Sequence, residues 1–534
     1  MKVQKCKIAK VRGAALVVAS LVLALTPSAA VSAAVAVSPF AGAASGAVAV
    51  SPFAACQAPD AASVVVGKVA CRREPAAELG GTTAFSYFVP PACAQRRCPT
   101  LYLLHGFGGD LTSMLGTPDA PSAWVAALAH RPQVSPYATD APWKYADQRR
   151  WKPASPVDLV LVAPDGRTVP GGFGPGPLLD GFWADWNPKY AEAGADPRYP
   201  TRAPRFASYV VDELVPFVER HLGVARGRAS RALDGESLGG YGSYAIGLQH
   251  PDEWASIGAD SGIMNILLAP GLAPAPSGPA GLLPPTQLPP LTVPAPLGGT
   301  IPLGGLPGAA QDVAVVLYAF GDPVADQAYY LARQPVDLAG NAVARRGRHQ
   351  SLMIRGFSND TIPRQPSDFS LPGYLTAQAF EDLVLPTNLE LNQAFAAADV
   401  SQHYELHPGI HSDTYWNPWL RAQVAAQYAR LRHPDGTGSP PPYPTTFDYL
   451  SGAASFTVWG WHVRARRPVA ELLRLTDVSC HGLTVHGTGR VTITTPPRCG
   501  KRTLTLNLGP SLPTSEIAGA DALPGYGRTV RVTL

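Results

Sequence analysis

Apolar residues fall in short continuous runs separated by Gly- and Pro-rich stretches. Residues 101–104 (LYLL), 157–162 (VDLVLV), 313–318 (VAVVLY) and 351–354 (SLMI) have the length and make-up of strands buried on both faces of a parallel sheet. Phe206, Val210, Leu214, Val218 and Leu222 recur every fourth residue, which draws one apolar stripe along a helix. Strands alternating with helices predict an α/β domain over residues 67–432, with a mostly parallel central sheet flanked by helices. After a Pro-rich linker, 433–445, the pattern changes. Short alternating runs at 454–459, 490–494 and 503–508 predict antiparallel strands, hence a small sandwich-like all-β domain over 446–534.

One stretch breaks the α/β pattern. From 261 to 311 there is no Asp, Glu, Lys, Arg or His, and twelve prolines lie between Pro270 and Pro307. Proline at that density predicts an extended apolar insertion without regular helix or sheet. It follows an expected strand at 255–260, a place from which it can act as a lid over a cleft and offer apolar surface to an acyl chain.

The N-terminus has a basic start to Arg12, an apolar run at 14–25 and then small residues, the build of a signal peptide, assigned to residues 1–34. A flexible Ala-rich leader, 35–66, follows and contains AVAVSPF twice. The formal charge of +4 changes meaning once the first segment is set aside: of 43 Lys and Arg, five lie within residues 2–12, which leaves 38 against 39 Asp and Glu. Such a balance gives no reason to expect nucleic acid as a partner. Beyond the signal peptide six cysteines remain, an even number that suits an oxidising, secreted location. Pairing neighbours gives Cys56 with Cys71, Cys93 with Cys98 and Cys480 with Cys499, one of 15 pairings open to six cysteines.

The chemistry concentrates in a few motifs. Gly235-Glu236-Ser237-Leu238-Gly239 fits a nucleophile elbow, in which glycines allow a strand to turn sharply into a helix and expose the serine hydroxyl. Upstream, the strand at 101–104 runs into His105-Gly106-Phe107-Gly108-Gly109. Its small residues leave backbone N–H groups free, and the Phe107 and Leu238 N–H groups form the candidate oxyanion hole. Alternatives for the two motifs are an ordinary Gly-rich turn and a buried structural His105. The base must come late in the chain. His403, His407 and His411 are four apart, but Pro408-Gly409 breaks any helix that would align them on zinc. His411, in a Gly-containing loop, is the candidate base, with His403 and His407 on a preceding strand. Two carboxylates compete as its partner, Glu381 and Asp360, with Asp322 and Asp326 behind them. No metal or cofactor is expected.

HGFGG, Asp165-Gly166, Phe182-Trp183-Ala184-Asp185-Trp186, GESLGG and PGIHSDTYW, in this order, resemble the esterase D and antigen 85 (mycolyltransferase) branch of the α/β-hydrolase superfamily. Gly321 to Asp326 and the segment from Phe380 to Asn388 add to the antigen 85 side. The resemblance implies a serine acyl esterase acting on a small-molecule or lipid ester, with Ser237, His411 and Glu381 as triad and His105, Gly106, Trp183 and Trp186 near the substrate. Glu381 is favoured over Asp360 because its segment looks like the acid-bearing helix of antigen 85. The alternatives are an acyltransferase that passes the acyl group to a sugar or glycerol hydroxyl, and a non-catalytic cell-envelope binding protein. Trp459, Trp461 and His462 of the C-terminal domain are candidates for contacting a cell-wall polymer, against the alternative that they form its core.

Overall fold

A computed structural model describes residues 55–128, 157–167, 181–189, 202–267, 292–294, 300–302, 316, 319–321, 326–347, 349–362, 371–432, 443–467, 471–510 and 527–534. The expected signal peptide, most of the expected leader, most of the insertion and most of the linker lie outside them.

The strands, in chain order, are β1 (Val69–Ala76), β2 (Gly81–Phe88), β3 (Thr100–Leu104), β4 (Val160–Pro164), β5 (Arg231–Gly235), β6 (Ser256–Asp260), β7 (Thr292–Pro294), β8 (Thr300–Pro302), β9 (Ala344–Arg346), β10 (His349–Gln350), β11 (Met353–Asn359), β12 (His403–His407), β13 (Thr446–Ser451), β14 (Ser455–Val458), β15 (Trp461–Arg466), β16 (Leu473–Ser479), β17 (Gly482–Gly487), β18 (Arg490–Thr494), β19 (Thr503–Asn507) and β20 (Arg528–Thr533). Eight of them form the central sheet in the order β1-β2-β4-β3-β5-β6-β11-β12. β1 and β2 are antiparallel, and every pair from β4 to β12 is parallel. This is an α/β-hydrolase-like arrangement. Its inner strands are deeply buried because both faces are covered: β3, β4 and β6 are buried at every residue.

The helices that matter for the site are α1 (Ala123–Leu128), α2 (Val215–His221), α3 (Leu238–Gln249), α4 (Leu371–Ala397) and α5 (Leu420–Arg432). The stripe from Phe206 reaches α2 through a π-helical turn, Tyr209–Leu214, and four of its five residues are fully buried, with Leu222 at 6% exposure. Helix α3 is buried at every position from Leu238 to Leu248. It can lie this deep because it is rich in glycine: a Cβ on Gly242 would stand 2.4 Å from Trp183 Cβ, and one on Gly247 2.4 Å from Ile257.

Several expectations need correction. Val316 is helical and buried, so the run at 313–318 is not a strand where it is described, and the sheet takes β11 next to β6 without it. Within the Pro-rich insertion, β7 and β8 pair as a small antiparallel hairpin, since Thr292, Val293, Thr300 and Ile301 interrupt the prolines with β-formers. The rest of the insertion, and with it the lid expectation, lies outside the described residues.

The C-terminal strands form a six-stranded sheet, β10-β9-β13-β16-β17-β20, and a four-stranded sheet, β14-β15-β18-β19. The first is continued by β9 and β10, which come from the middle of the chain: Thr446 pairs with Arg345 and Phe447 with Ala344. Trp459 and Trp461 are 2% and 1% exposed and pack in the core between the sheets, so they offer no surface to a polymer. His462 alone of the three faces outward. The structure joins Cys56 to Cys71, Cys93 to Cys98 and Cys480 to Cys499. No helix among the described residues is long and apolar enough to cross a membrane.

Candidate active site

Ser237 follows β5 directly and caps α3 with φ +55° and ψ −118°, a backbone conformation that costs of order 1–3 kcal/mol outside glycine. Two glycines make it possible. A Cβ on Gly239 would lie 1.9 Å from the Leu104 carbonyl oxygen, and one on Gly235 2.4 Å from the Gly239 backbone. The Ser237 N–H donates to the Asp260 carbonyl at 2.7 Å, which ties the turn to β6. The sharp bend leaves the Ser237 side chain at the C-terminal end of the sheet, where open α/β sheets carry their crevices.

Ser237 Oγ donates to His411 Nε2 at 2.7 Å, and His411 Nδ1 donates to Glu381 Oε2 at 2.8 Å. His411 lies after β12, and its N–H donates to the Ala377 carbonyl of α4 at 3.1 Å. Glu381, also on α4, is wholly buried. A buried carboxylate needs partners, and its other oxygen accepts from Ser261 Oγ at 2.9 Å and from the Asn359 N–H at 2.7 Å. Ser261 in turn accepts from Trp416 Nε1 at 3.2 Å, and Asn359 Nδ2 donates to the Ile410 carbonyl at 2.9 Å. The Trp416 ring stands edge-on to His411, 4.9 Å between centroids. The imidazole is thus held by hydrogen bonds on two sides and by an aromatic wall on a third.

Asp360 lies elsewhere. Its carboxylate accepts from the Ile362 and Gly409 N–H groups at 2.9 and 3.1 Å, so it shapes the loop that carries His411 without touching the ring. His407 bonds Glu405 at 2.8 Å and stacks on Trp419, and His403 also bonds Glu405.

A cleft of about 370 Å³ opens on Ser237 and His411, lined by Gly106, Phe107, Met114, Glu236, Phe380, Asp413 and Trp416 among others. Gly106 passes close under the serine: a Cβ there would meet Ser237 Cβ at 3.2 Å. Phe107 is 45% exposed at the rim. No hydrogen bond engages the Phe107 or Leu238 N–H among the described residues. Of the residues expected near the substrate, Gly106 lines the cleft, whereas His105, Trp183 and Trp186 do not. They are 1%, 1% and 3% exposed. His105 Nε2 accepts from the Gly166 N–H at 2.9 Å, Nδ1 donates to the Gly106 carbonyl at 2.8 Å, and Trp183 Nε1 donates to the His105 carbonyl at 3.0 Å. These side chains brace the HGFGG loop from beneath; Trp186 bonds the Gly181 carbonyl.

Two features had no signal in the sequence. Glu236 is buried beside the serine, accepts from Trp124 Nε1 at 2.6 Å, and has its acidity weakened to a pKa of about 8, chiefly by burial and then by the nearby Asp413 charge. Behind the elbow, Asp234 and Asp260 share Gln423 as donor at 2.7 and 2.9 Å. Burial raises Asp234 to about 6 and Asp260 well above the usual carboxylate range, the latter helped by the Asp234 charge. Gln423 lies on α5, 189 residues from Asp234, a distance no local pattern spans.

The model of the Esterase family, described as "putative esterase", matches residues 180–426. No curated protein matches the chain. Among solved structures, the chain is similar to an S-formylglutathione hydrolase from Agrobacterium tumefaciens (14% identity, 69% of this chain and 98% of that one, TM-score 0.41). It is also similar to Mycobacterium tuberculosis MPT51 (16%, 67% and 97%, TM-score 0.38) and to a ferulic acid esterase from Anaeromyces mucronatus (15%, 68% and 92%, TM-score 0.33). Likenesses this distant carry no argument about substrate.

Proposed function

Because residues 180–426 match the Esterase family and the motifs resemble the esterase D and antigen 85-like branch of the α/β-hydrolase superfamily, we propose that the protein is an exported serine esterase that hydrolyses carboxylic esters through an acyl-enzyme on Ser237. The observation that carries this reading is the hydrogen-bonded series Glu381, His411, Ser237 beneath an open cleft. Ser237 Oγ attacks the ester carbonyl while His411 Nε2 takes its proton, and the same nitrogen then gives that proton to the leaving alcohol. Glu381, which accepts from Nδ1, stabilises the imidazolium and holds the ring. The carbonyl oxygen becomes an oxyanion, for which the unengaged N–H groups of Phe107 and Leu238 are the donors. Water, activated by His411, releases the acid and restores the serine. Export is supported by the three disulfides and by the N-terminal sequence.

Labelling by a fluorophosphonate probe tests the reading. Ser237→Ala should lose the label and lower ester hydrolysis by several orders of magnitude with folding intact, whereas a variant that keeps its activity overturns it. Product analysis with and without glycerol reads whether water or an alcohol accepts the acyl group.

A further inference from the structure

The cleft over Ser237 is acidic. Glu236 and Asp413 both line it, and among the described residues no Lys or Arg does. Residues 261–311, which follow β6 beside the triad, contain no Lys, Arg or His. Neither carboxyl makes a salt bridge among the described residues. Glu236 is held in place, 8% exposed, through the single hydrogen bond from Trp124 to Oε1. The Asp413 charge hinders ionisation of Glu236, and the favourable charge acting on Asp413 comes from the catalytic His411. With no Lys or Arg beside them among the described residues, the two carboxyls are groups whose charged forms burial and mutual repulsion oppose and a bound cation favours. Three aromatic residues, Phe107, Phe380 and Trp416, line the same cleft, and aromatic rings attract ammonium groups.

We propose that the Asp413 carboxylate, with the Glu236 carboxyl beside it as a hydrogen-bond acceptor, selects substrates by charge: the cleft takes esters whose alcohol or acyl part carries an ammonium group and turns away esters that carry a carboxylate or phosphate. The inference rests on the esterase reading of the same cleft and names its substrate class. The ammonium group takes no part in bond making or breaking. It lies against the two carboxyls while the ester carbonyl meets Ser237.

Acetylcholine and 3,3-dimethylbutyl acetate have the same shape and differ by one charge. The ratio of their kcat/KM values should be about tenfold or more in favour of the cation, the size expected of one desolvated cation–π and ionic contact. An acetate ester bearing a carboxylate should fall below the neutral one by a similar factor. In Asp413→Asn the cation-to-neutral ratio at pH 7 should drop towards one, and in Glu236→Gln it should drop at pH 9, where the wild-type carboxyl is ionised, whatever happens to the overall rate. Binding gives a second readout that needs no turnover: in Ser237→Ala, choline should quench tryptophan fluorescence at about tenfold lower concentration than 3,3-dimethylbutanol. A wild-type ratio of one or less, with the neutral ester hydrolysed through Ser237, overturns charge selection and leaves the esterase reading standing. Hydrolysis of neither ester, with choline still bound preferentially, does the reverse. Equal binding of choline and 3,3-dimethylbutanol counts against the proposal in either case.

Discussion

His411 Nδ1 lies 2.8 Å from Glu381 Oε2, while Asp360, 21 residues earlier in the chain, is bonded to the Gly409 N–H of the loop beneath. The two carboxylates that compete in sequence therefore have separate tasks. Glu381→Gln keeps the shape but removes the charge that stabilises the imidazolium, and kcat should fall by about two to four orders of magnitude. Asp360→Asn still accepts hydrogen bonds from Ile362 and Gly409 and should cost less than about tenfold. Steady-state kinetics on a neutral acetate ester, with thermal melts to check folding, rank the two.

The burial of His105 leads to a different expectation. Its ring accepts from the Gly166 N–H and supports Trp183, with no place on the cleft wall. His105→Leu strands a buried donor, at a cost of about 1–3 kcal/mol. The variant should melt several degrees lower, and its KM for small esters should stay near the wild-type value. A raised KM with an unchanged melting temperature would return His105 to the substrate.

The residues legible in sequence are those whose role is set by local geometry. The elbow shows because a strand that turns this sharply into a helix needs small residues at 235 and 239, and the His411 loop shows through Pro408-Gly409. Glu381 was visible only through a resemblance, since nothing in FEDLVLPTN states that the side chain points at residue 411. Ser261 reads in sequence as the start of the uncharged insertion, although it directly follows β6 and bonds Glu381. Its role depends on β6, α4 and Trp416 meeting, which no periodicity encodes. The resemblance implies Trp183 and Trp186 near the substrate, but the side of the loop that an aromatic ring fills is a matter of packing. For Trp183 it is decided by Gly166 and Gly242, where any Cβ would strike its ring or stem.

Glu236 gives the site an alkaline limit. Burial raises this carboxyl from the ordinary 4.5 to about 8, so it is neutral in the elbow at pH 7 and becomes an anion as the pH passes about 8. That charge appears beside the place where the oxyanion forms and opposes it, as do Asp413 and, behind the elbow, Asp234. For neutral esters kcat/KM should therefore decline above about pH 8, and Glu236→Gln, which still accepts from Trp124, should flatten the decline. Stability follows the same group. Between about 4.5 and 8 the folded chain retains a proton that the unfolded chain releases, so this contribution falls as pH rises across that window and is constant above it. Denaturant titrations at pH 5 and 8 should show a shallower loss in Glu236→Gln than in the wild type. Equal slopes would mean that Glu236 is already ionised at neutral pH.

The last expectation concerns the seam between the central sheet and the C-terminal strands, which sequence describes as two domains on a Pro-rich linker. The contacts across it are those of a shared interior. Asn341 Nδ2 donates to the Leu248 and Leu450 carbonyls while its Oδ1 accepts from the Leu450 N–H, Tyr449 donates to the Gln249 carbonyl, and the Trp459 N–H donates to Asp252. The Arg228 guanidinium lies over the Trp459 ring, and β9 is a strand of the C-terminal sheet. Leu248 and Gln249 end α3, the helix that begins at Ser237, so the seam supports the far end of the nucleophile's own helix. A chain ending near Pro434 would leave β9 unpaired on one side, remove both Leu450 partners of Asn341 and expose the apolar surface that packs against Leu450 and Leu472. It should be aggregation-prone and should melt well below the full chain, and whatever soluble fraction remains should label poorly with fluorophosphonate. The full chain should unfold in one calorimetric transition. Two separate transitions, or a truncated chain with normal labelling and stability, would show that the two parts fold independently and that the seam is only a contact.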